Sequence, residues 1–316
     1  DSALATLTVG SDNDQLPNSG AVFVYRRTDT EWVQEAYLKA VNRDGFDPIA
    51  NPDRSEKADA FGTSLALSDS TLAVGAIGED SGNTTITNGT TAAVDNGITD
   101  SGAVYVYRRS GSTWTQEAYL KAVNNRSTNV QFGDAVSIAG DTLAVGAMNE
   151  NANEATITNG TSASDDVNRW ESGAVYVYCR SGTTWAQQAY VKAANVDEYD
   201  HFGVAVSLSA TMLAVGAKDE SANQNIITTG EVASSDNSAP QSGAVYLYHR
   251  TGTVWRQESY FKSVNVGAGD LFGSSVSISD FTLAVGAPGE DSNQTTILNG
   301  PTASGDNSSK DSGAVY

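Results

Sequence analysis

Four glutamates recur at one register. Glu79, Glu150, Glu220 and Glu290 each lie four residues after the Gly of a Val-Gly-Ala tripeptide, and Asp14 holds the matching place near the N-terminus. Oxygen ligands repeated at the exits of equivalent strands suit a hard cation such as Ca²⁺, with Asp80 or Asp291 next door. The favoured reading is plainer: a carboxylate that accepts backbone N–H bonds and shapes the loop behind it. Calcium at the loop carboxylates is kept as the weaker alternative, and no cofactor or metal ligand is assigned. Asp59, Asp200 and Asp270, two residues before a Phe, read as turn formers, and Val130 breaks that series.

Other reactive side chains form no constellation. His201 stands where other copies have Ala60, Gln131 and Leu271; His249 stands where they have Arg26, Arg108 and Cys179. Both read as surface residues. A nucleophile elbow, a phosphate-binding glycine loop and an HExxH helix are all missing from the sequence. No catalytic residue is assigned, and the chain is not expected to be an enzyme. The single Cys179 rules out an intrachain disulfide. Tyrosine pairs Tyr105/Tyr107, Tyr176/Tyr178 and Tyr246/Tyr248 could form a carbohydrate platform, but strand spacing favours packing between sheets. Six N-x-S/T sequons, at Asn83, Asn88, Asn125, Asn159, Asn293 and Asn307, are candidate N-glycosylation acceptors.

These residues are carried by a repeat. Phe61, Phe132, Phe202 and Phe272 open near-identical segments spaced 71, 70 and 70 residues apart, each running into LAVGA. The FGxSVSIS half reads as one strand and TLAVGA as a second. Two residues connect them: Asp69-Ser70, Gly140-Asp141, Ser209-Ala210 or Ser279-Asp280. About 25 residues then lead to GAVYVYRR, and the constant length argues for an ordered excursion. A Ser-Gly turn joins that third strand to a fourth, WTQEAYLKA, in which Trp114, Gln116, Ala118 and Leu120 are expected on one face.

The expected fold is therefore all-β: a β-propeller of four-stranded blades about 70 residues long, with a linear β-solenoid as the alternative. The expected divisions are a partial blade at 1–41, a linker at 42–60, blades at 61–123, 132–193 and 202–263, and a partial blade at 272–316. The chain carries 38 acidic against 18 basic residues, a net charge of −20, which disfavours nucleic acid and anionic lipid as partners. No apolar run approaches the roughly 18 residues that cross a bilayer. The chain opens on Asp1 without a signal peptide and is read as a mature product or an excised piece.

The recurring FG…LAVGA, completed to GAP by Pro288, resembles the FG-GAP repeat of integrin α-subunit propellers, in the bacterial-type version that continues into SGAVYVYxRSGxxWxQxAYLKA. The resemblance implies propeller blades, an extracellular or cell-surface setting, and structural or adhesive work. It also implies a DxDxDG calcium loop between the first two strands, and the two-residue connections here have no room for one. The expected function is a non-enzymatic structural or adhesive protein, joined head to tail into a filament through its incomplete end blades. A carbohydrate- or protein-binding module of a larger surface protein is the alternative. Expected partners are other copies or another extracellular protein, with glycans on the loops.

Overall fold

Tight hairpins set the architecture. In the computed structural model, residues 18–42 and 58–316 are described; the expected second strand at Leu7 to Ser11, Asp14 and most of the 42–60 linker lie outside them. None of the described residues is helical. The chain divides into two units, one of Asp1–Asp141 with Cys179–Ala186, the other of Thr142–Tyr178 with Gln187–Tyr316.

In the first unit, β1 (Val22–Arg27) pairs antiparallel with β2 (Trp32–Leu38). The next sheet contains β3 (Phe61–Ser68), β4 (Thr71–Ala76), β5 (Thr87–Asn88), β6 (Ala103–Ser110) and β7 (Thr113–Leu120), in the order β3-β4-β6-β7-β5. The apolar run of β4 is buried at every position, as a central strand requires. Strand β8 (Val136–Ala139) opens the next repeat, which continues through β9 (Thr142–Ala147), β10 (Thr158–Asn159), β11 (Ala174–Ser181) and β12 (Thr184–Val191); its residues are shared between the units.

The second unit holds a sheet of β13 (Phe202–Leu208), β14 (Met212–Ala217), β15 (Thr228–Thr229), β16 (Ala244–Thr251) and β17 (Val254–Phe261), in the order β13-β14-β16-β17-β15. The last sheet has β18 (Ser275–Ser279), β19 (Thr282–Ala287) and β20 (Ala314–Val315). Sequential antiparallel pairing within each sheet, β13 to β14 to β16 to β17, is the pattern of a propeller blade and not of a solenoid coil. The fold class is the expected all-β propeller.

Two expectations change. The hairpin connections of the last two copies lie one residue further on, at Ala210-Thr211 and Asp280-Phe281: Leu208 pairs with Leu213 and Ser279 with Thr282. Ser209 instead closes the turn, donating its backbone N–H to Met212 O at 2.9 Å. The outer strand also does not keep one face. Tyr107 pairs with Gln116 but Val106 pairs with Ala118, so Glu117 is an extra residue in a β-bulge. Paired residues share a face, so Trp114 and Gln116 lie with Tyr107, while Ala118 and Leu120 lie opposite with Val106 and Val104. The bulge thereby gathers Trp114, Gln116 and Tyr119 on one face. β17 repeats it at Glu258.

The long excursion is ordered and returns to the sheet. Its two-residue strands β5 and β15 pair outside β7 and β17, with Thr87 opposite Tyr119 and Thr228 opposite Tyr260. Gly89 and Gly230 extend the pairing by donating to Glu117 O and Glu258 O, each at 2.7 Å. Each of these sheets thus covers its own outer edge. Successive repeats meet closely enough to demand glycine: Gly243 has φ +78°, and a Cβ there would sit 2.0 Å from Phe272 O.

Candidate functional site

The recurring glutamates do not form an exposed ring. Glu79, Glu150, Glu220 and Glu290 are all buried, none more than 4% exposed. Three hold a buried lysine from the end of their own outer strand: Glu79 meets Lys121 at 2.7 Å, Glu150 meets Lys192 at 2.9 Å and Glu220 meets Lys262 at 2.7 Å. The lysine also donates to a serine hydroxyl just before the third strand, as Lys121 does to Ser101 at 2.8 Å and Lys262 to Ser242 at 2.7 Å. The backbone role expected of the carboxylate is present too, since Ser81 N–H donates to Glu79 Oε2 at 3.2 Å and Ala222 N–H to Glu220 Oε2 at 3.2 Å.

The second carboxylate oxygen is equally engaged. Tyr119 donates to Glu79 Oε1 at 2.7 Å and Tyr260 to Glu220 Oε1 at 2.8 Å. An asparagine from the preceding repeat adds another bond, Asn42 to Glu79 at 3.0 Å and Asn195 to Glu220 at 3.0 Å. That asparagine accepts in turn from Tyr105 at 2.6 Å and Tyr246 at 2.5 Å. Sequence reading missed the lysine and the asparagine, although Lys39, Lys121, Lys192 and Lys262 recur in step, as do Asn42, Asn124, Asn195 and Asn265.

Burial holds the Lys121 ammonium below the usual lysine range, with the Glu79 charge opposing the fall. The same causes act in the same directions at Lys192 and Lys262. Burial raises the Tyr119 and Tyr260 hydroxyls far above the ordinary tyrosine range, so both stay protonated donors to the carboxylate. Around each network the tyrosine rows are core, as strand spacing favours. Phe202 packs edge-on against Tyr246 at 5.2 Å and Tyr248 at 6.3 Å, and all three are fully buried. Such pairs each add about 0.5–1.5 kcal/mol beyond burial.

Phe-Gly entries, LAVGA strands and tryptophan-led outer strands are thus built on one recurring plan. The FG-GAP repeat family matches residues 114–178, 185–248 and 255–316, more than half of the chain. The chain belongs to the FG-GAP repeat family. Each matched segment begins at an outer-strand tryptophan, Trp114, Trp185 or Trp255, so the family repeat runs from the outer strand of one sheet into the first three of the next. No curated protein matches the chain.

The acids beside each FG-GAP network brace its loop. Asp80 Oδ1 accepts from Asp100 N–H and Asp291 Oδ1 from Asp311 N–H, both at 2.7 Å. Asp95 takes Gly82 N–H at 2.7 Å and Ser81 Oγ at 2.8 Å. Asp200 and Asp270 close short turns by accepting from Asp197 N–H at 3.2 Å and Gly267 N–H at 2.7 Å. Among the described residues no group of three or more His, Cys, Asp or Glu is arranged to hold a metal ion.

His201, read from the sequence as a surface residue, is partly exposed and bonded at both ring nitrogens. Its Nδ1 lies 2.6 Å from Asp219 Oδ2 and its Nε2 3.1 Å from Glu171 Oε2, so the ring bridges two loops. Burial works against its charge, but the bonds to Asp219 and Glu171 outweigh that and raise its pKa. Among the described residues its ring nitrogens meet these two carboxylates and no hydroxyl or thiol, and the trio acts as a clasp. His249 is exposed.

The sequons fall into unlike settings. Asn125 is buried, and its amide donates to Ser81 O at 2.9 Å and Asn83 O at 3.0 Å. Asn88 and Asn159 clasp the next repeat's tryptophan by its backbone: Asn159 accepts from Trp255 N–H at 2.8 Å and donates to Trp255 O at 3.1 Å. Asn88 does the same at Trp185, at 2.8 and 3.2 Å. Asn83 accepts from Thr85 N–H and Oγ1 of its own sequon, at 2.9 and 2.8 Å. Asn293 and Asn307 are exposed.

Proposed function

We propose that this FG-GAP protein is a non-enzymatic structural or adhesive component of the extracellular or cell-surface space that associates with other copies of itself. The engagement of the recurring acids carries the reading. The main acids that recur from repeat to repeat are taken up by lysine, tyrosine, asparagine and backbone donors, which supports scaffold work over acid–base chemistry.

Light scattering across a concentration series tests the reading. Mass that grows with concentration, without a fixed endpoint, is expected. A single monomeric mass throughout would overturn self-association.

A further inference from the structure

One backbone bond recurs between the loop that enters a third strand and the loop that enters the next repeat, and it carries different side chains each time. Asn129 N–H donates to Thr99 O at 2.9 Å, Tyr199 N–H to Trp170 O at 2.8 Å and Gly269 N–H to Pro240 O at 3.0 Å. The middle instance sets two aromatic residues on the bond, where the flanking ones have none.

Neither aromatic serves the core. Trp170 is 61% and Tyr199 53% exposed, and their rings touch no other described ring. Trp185 and Trp255, by contrast, are buried and spend their indole N–H on Glu117 at 3.0 Å and Gln188 at 2.9 Å. Among the described residues the Trp170 indole N–H and the Tyr199 hydroxyl bond no protein group. Tyr199 is also held at φ +64°, a left-handed conformation that suits its counterparts Asn129 and Gly269 and is costly for a bulky side chain. A side chain kept at such a cost yet left in solvent marks a place of use, not of packing.

The frame beneath the pair is fixed. His201 N–H donates to Glu171 O and Phe202 N–H to Ser172 O, both at 3.1 Å, and the His201 clasp ties the same two loops by their side chains. Arg169, next to Trp170, is oriented by Asn153 at 2.8 Å and by Asp197 at 3.2 Å, and Asp197 also accepts from Asn237. The guanidinium is thus neutralised by its own carboxylate, and the loops present planar hydrogen-bonding groups in set orientations.

Two separate aromatic faces beside such groups match a saccharide. A pyranose with equatorial hydroxyls has a flat face of axial C–H bonds that packs on an electron-rich ring, and its vicinal hydroxyls suit two-point guanidinium and carboxylate partners. We propose that Trp170 and Tyr199 form a binding site for a β-1,4-linked glucose-type oligosaccharide, one sugar ring on each aromatic face, with Arg169 and Asp197 at the hydroxyl edge. The site goes beyond self-association and does not rest on it.

The test follows the tryptophan indole N–H signals of the isotope-labelled full chain by NMR during titration with cellotetraose, with Trp170→Ala identifying the Trp170 signal. That signal is expected to shift saturably while those of the buried Trp185 and Trp255 stay in place. Tyr199→Asn installs the residue that Asn129 shows to fit this backbone. It is expected to weaken binding at least about tenfold and to unfold at a urea concentration no lower than wild type. Trp170→Ala, at an exposed position, is expected to weaken binding as much, read by saturation transfer to the sugar. Absence of saturable binding, movement of the buried indoles in place of Trp170, indifference to either substitution, or a lower urea midpoint for Tyr199→Asn would overturn the proposal. So would binding of hexalysine at Trp170 with no response to the sugar, which would assign the pair to a basic polypeptide.

Discussion

Glu220 and Lys262 meet at 2.7 Å with side chains 1% and 0% exposed, at the end of an outer strand whose bulge turns Tyr260 and Lys262 toward the same carboxylate. A buried pair of this kind is weak evidence of net stabilisation, because desolvating both ions offsets their attraction. Removing one partner is a different matter. Lys262→Met strands a buried carboxylate and is expected to cost about 3–5 kcal/mol in denaturant unfolding. Adding Glu220→Gln to it is expected to recover part of that loss, since the amide still accepts from Tyr260. A single variant that unfolds like wild type would contradict the network's role.

Asp200 is buried, and burial, followed by the charges of Glu220 and Asp197, pushes its carboxyl up to about 7. The native state therefore binds a proton that the unfolded state has lost between about pH 4 and pH 7. Its contribution is fully present below the unfolded pKa and is lost as pH rises through the folded one. Asp200→Asn keeps an acceptor for Asp197 N–H and removes the penalty. The variant is expected to exceed wild type by roughly 2–4 kcal/mol near pH 8 and to match it near pH 4, in urea melts at both values.

His201 points the same way with a smaller effect. Its raised pKa means that the clasp to Asp219 and Glu171 stabilises when the ring is charged, below its unfolded pKa, and fades as pH rises through the folded value. Gln131 holds the equivalent position with φ +56° against +53° for His201, so His201→Gln fits the backbone. Partial exposure screens the pairs, and wild type is expected to lead the variant by up to about 1 kcal/mol near pH 5.5 and by nothing near pH 9. A constant difference across that range would contradict the clasp.

Much of this was legible in the sequence. Spacing from Phe to VGA to SGAV to Trp predicts the strands, their order and the fold class, and the constant loop length predicts an ordered excursion. The bulge at Glu117 was not legible, because WTQEAYLKA alternates as an ordinary strand would, and so Gln116 and Ala118 were expected together when they face apart. That single extra residue is what brings Tyr119 round to Glu79. The network itself left a signal in the lysines, which recur in step with the glutamates, since two opposite charges sharing a period on otherwise apolar strands suggest a buried pair. His201 left none, because its partners Asp219 and Glu171 do not recur as a set.

The sequon pattern puts Asn125 beside the five loop sequons as an acceptor, but burial separates it from them. In a host that N-glycosylates, peptide mapping is expected to find glycans at Asn293 and Asn307, and Asn125 unmodified, since its amide is spent on Ser81 and Asn83 carbonyls. Asn159→Ala is expected to cost about 1–2 kcal/mol through loss of the Trp255 clasp. A glycan at Asn125 in folded protein would contradict the placement.

Backbone hydrogen exchange bears most directly on the claim that the long excursion returns to cover the outer edge of its own sheet. The Gly89 and Gly230 amides, which donate to Glu117 O and Glu258 O at 2.7 Å, are expected to exchange slowly, as strand amides do. Exchange of both at the rate of an unstructured loop would contradict the covered edge.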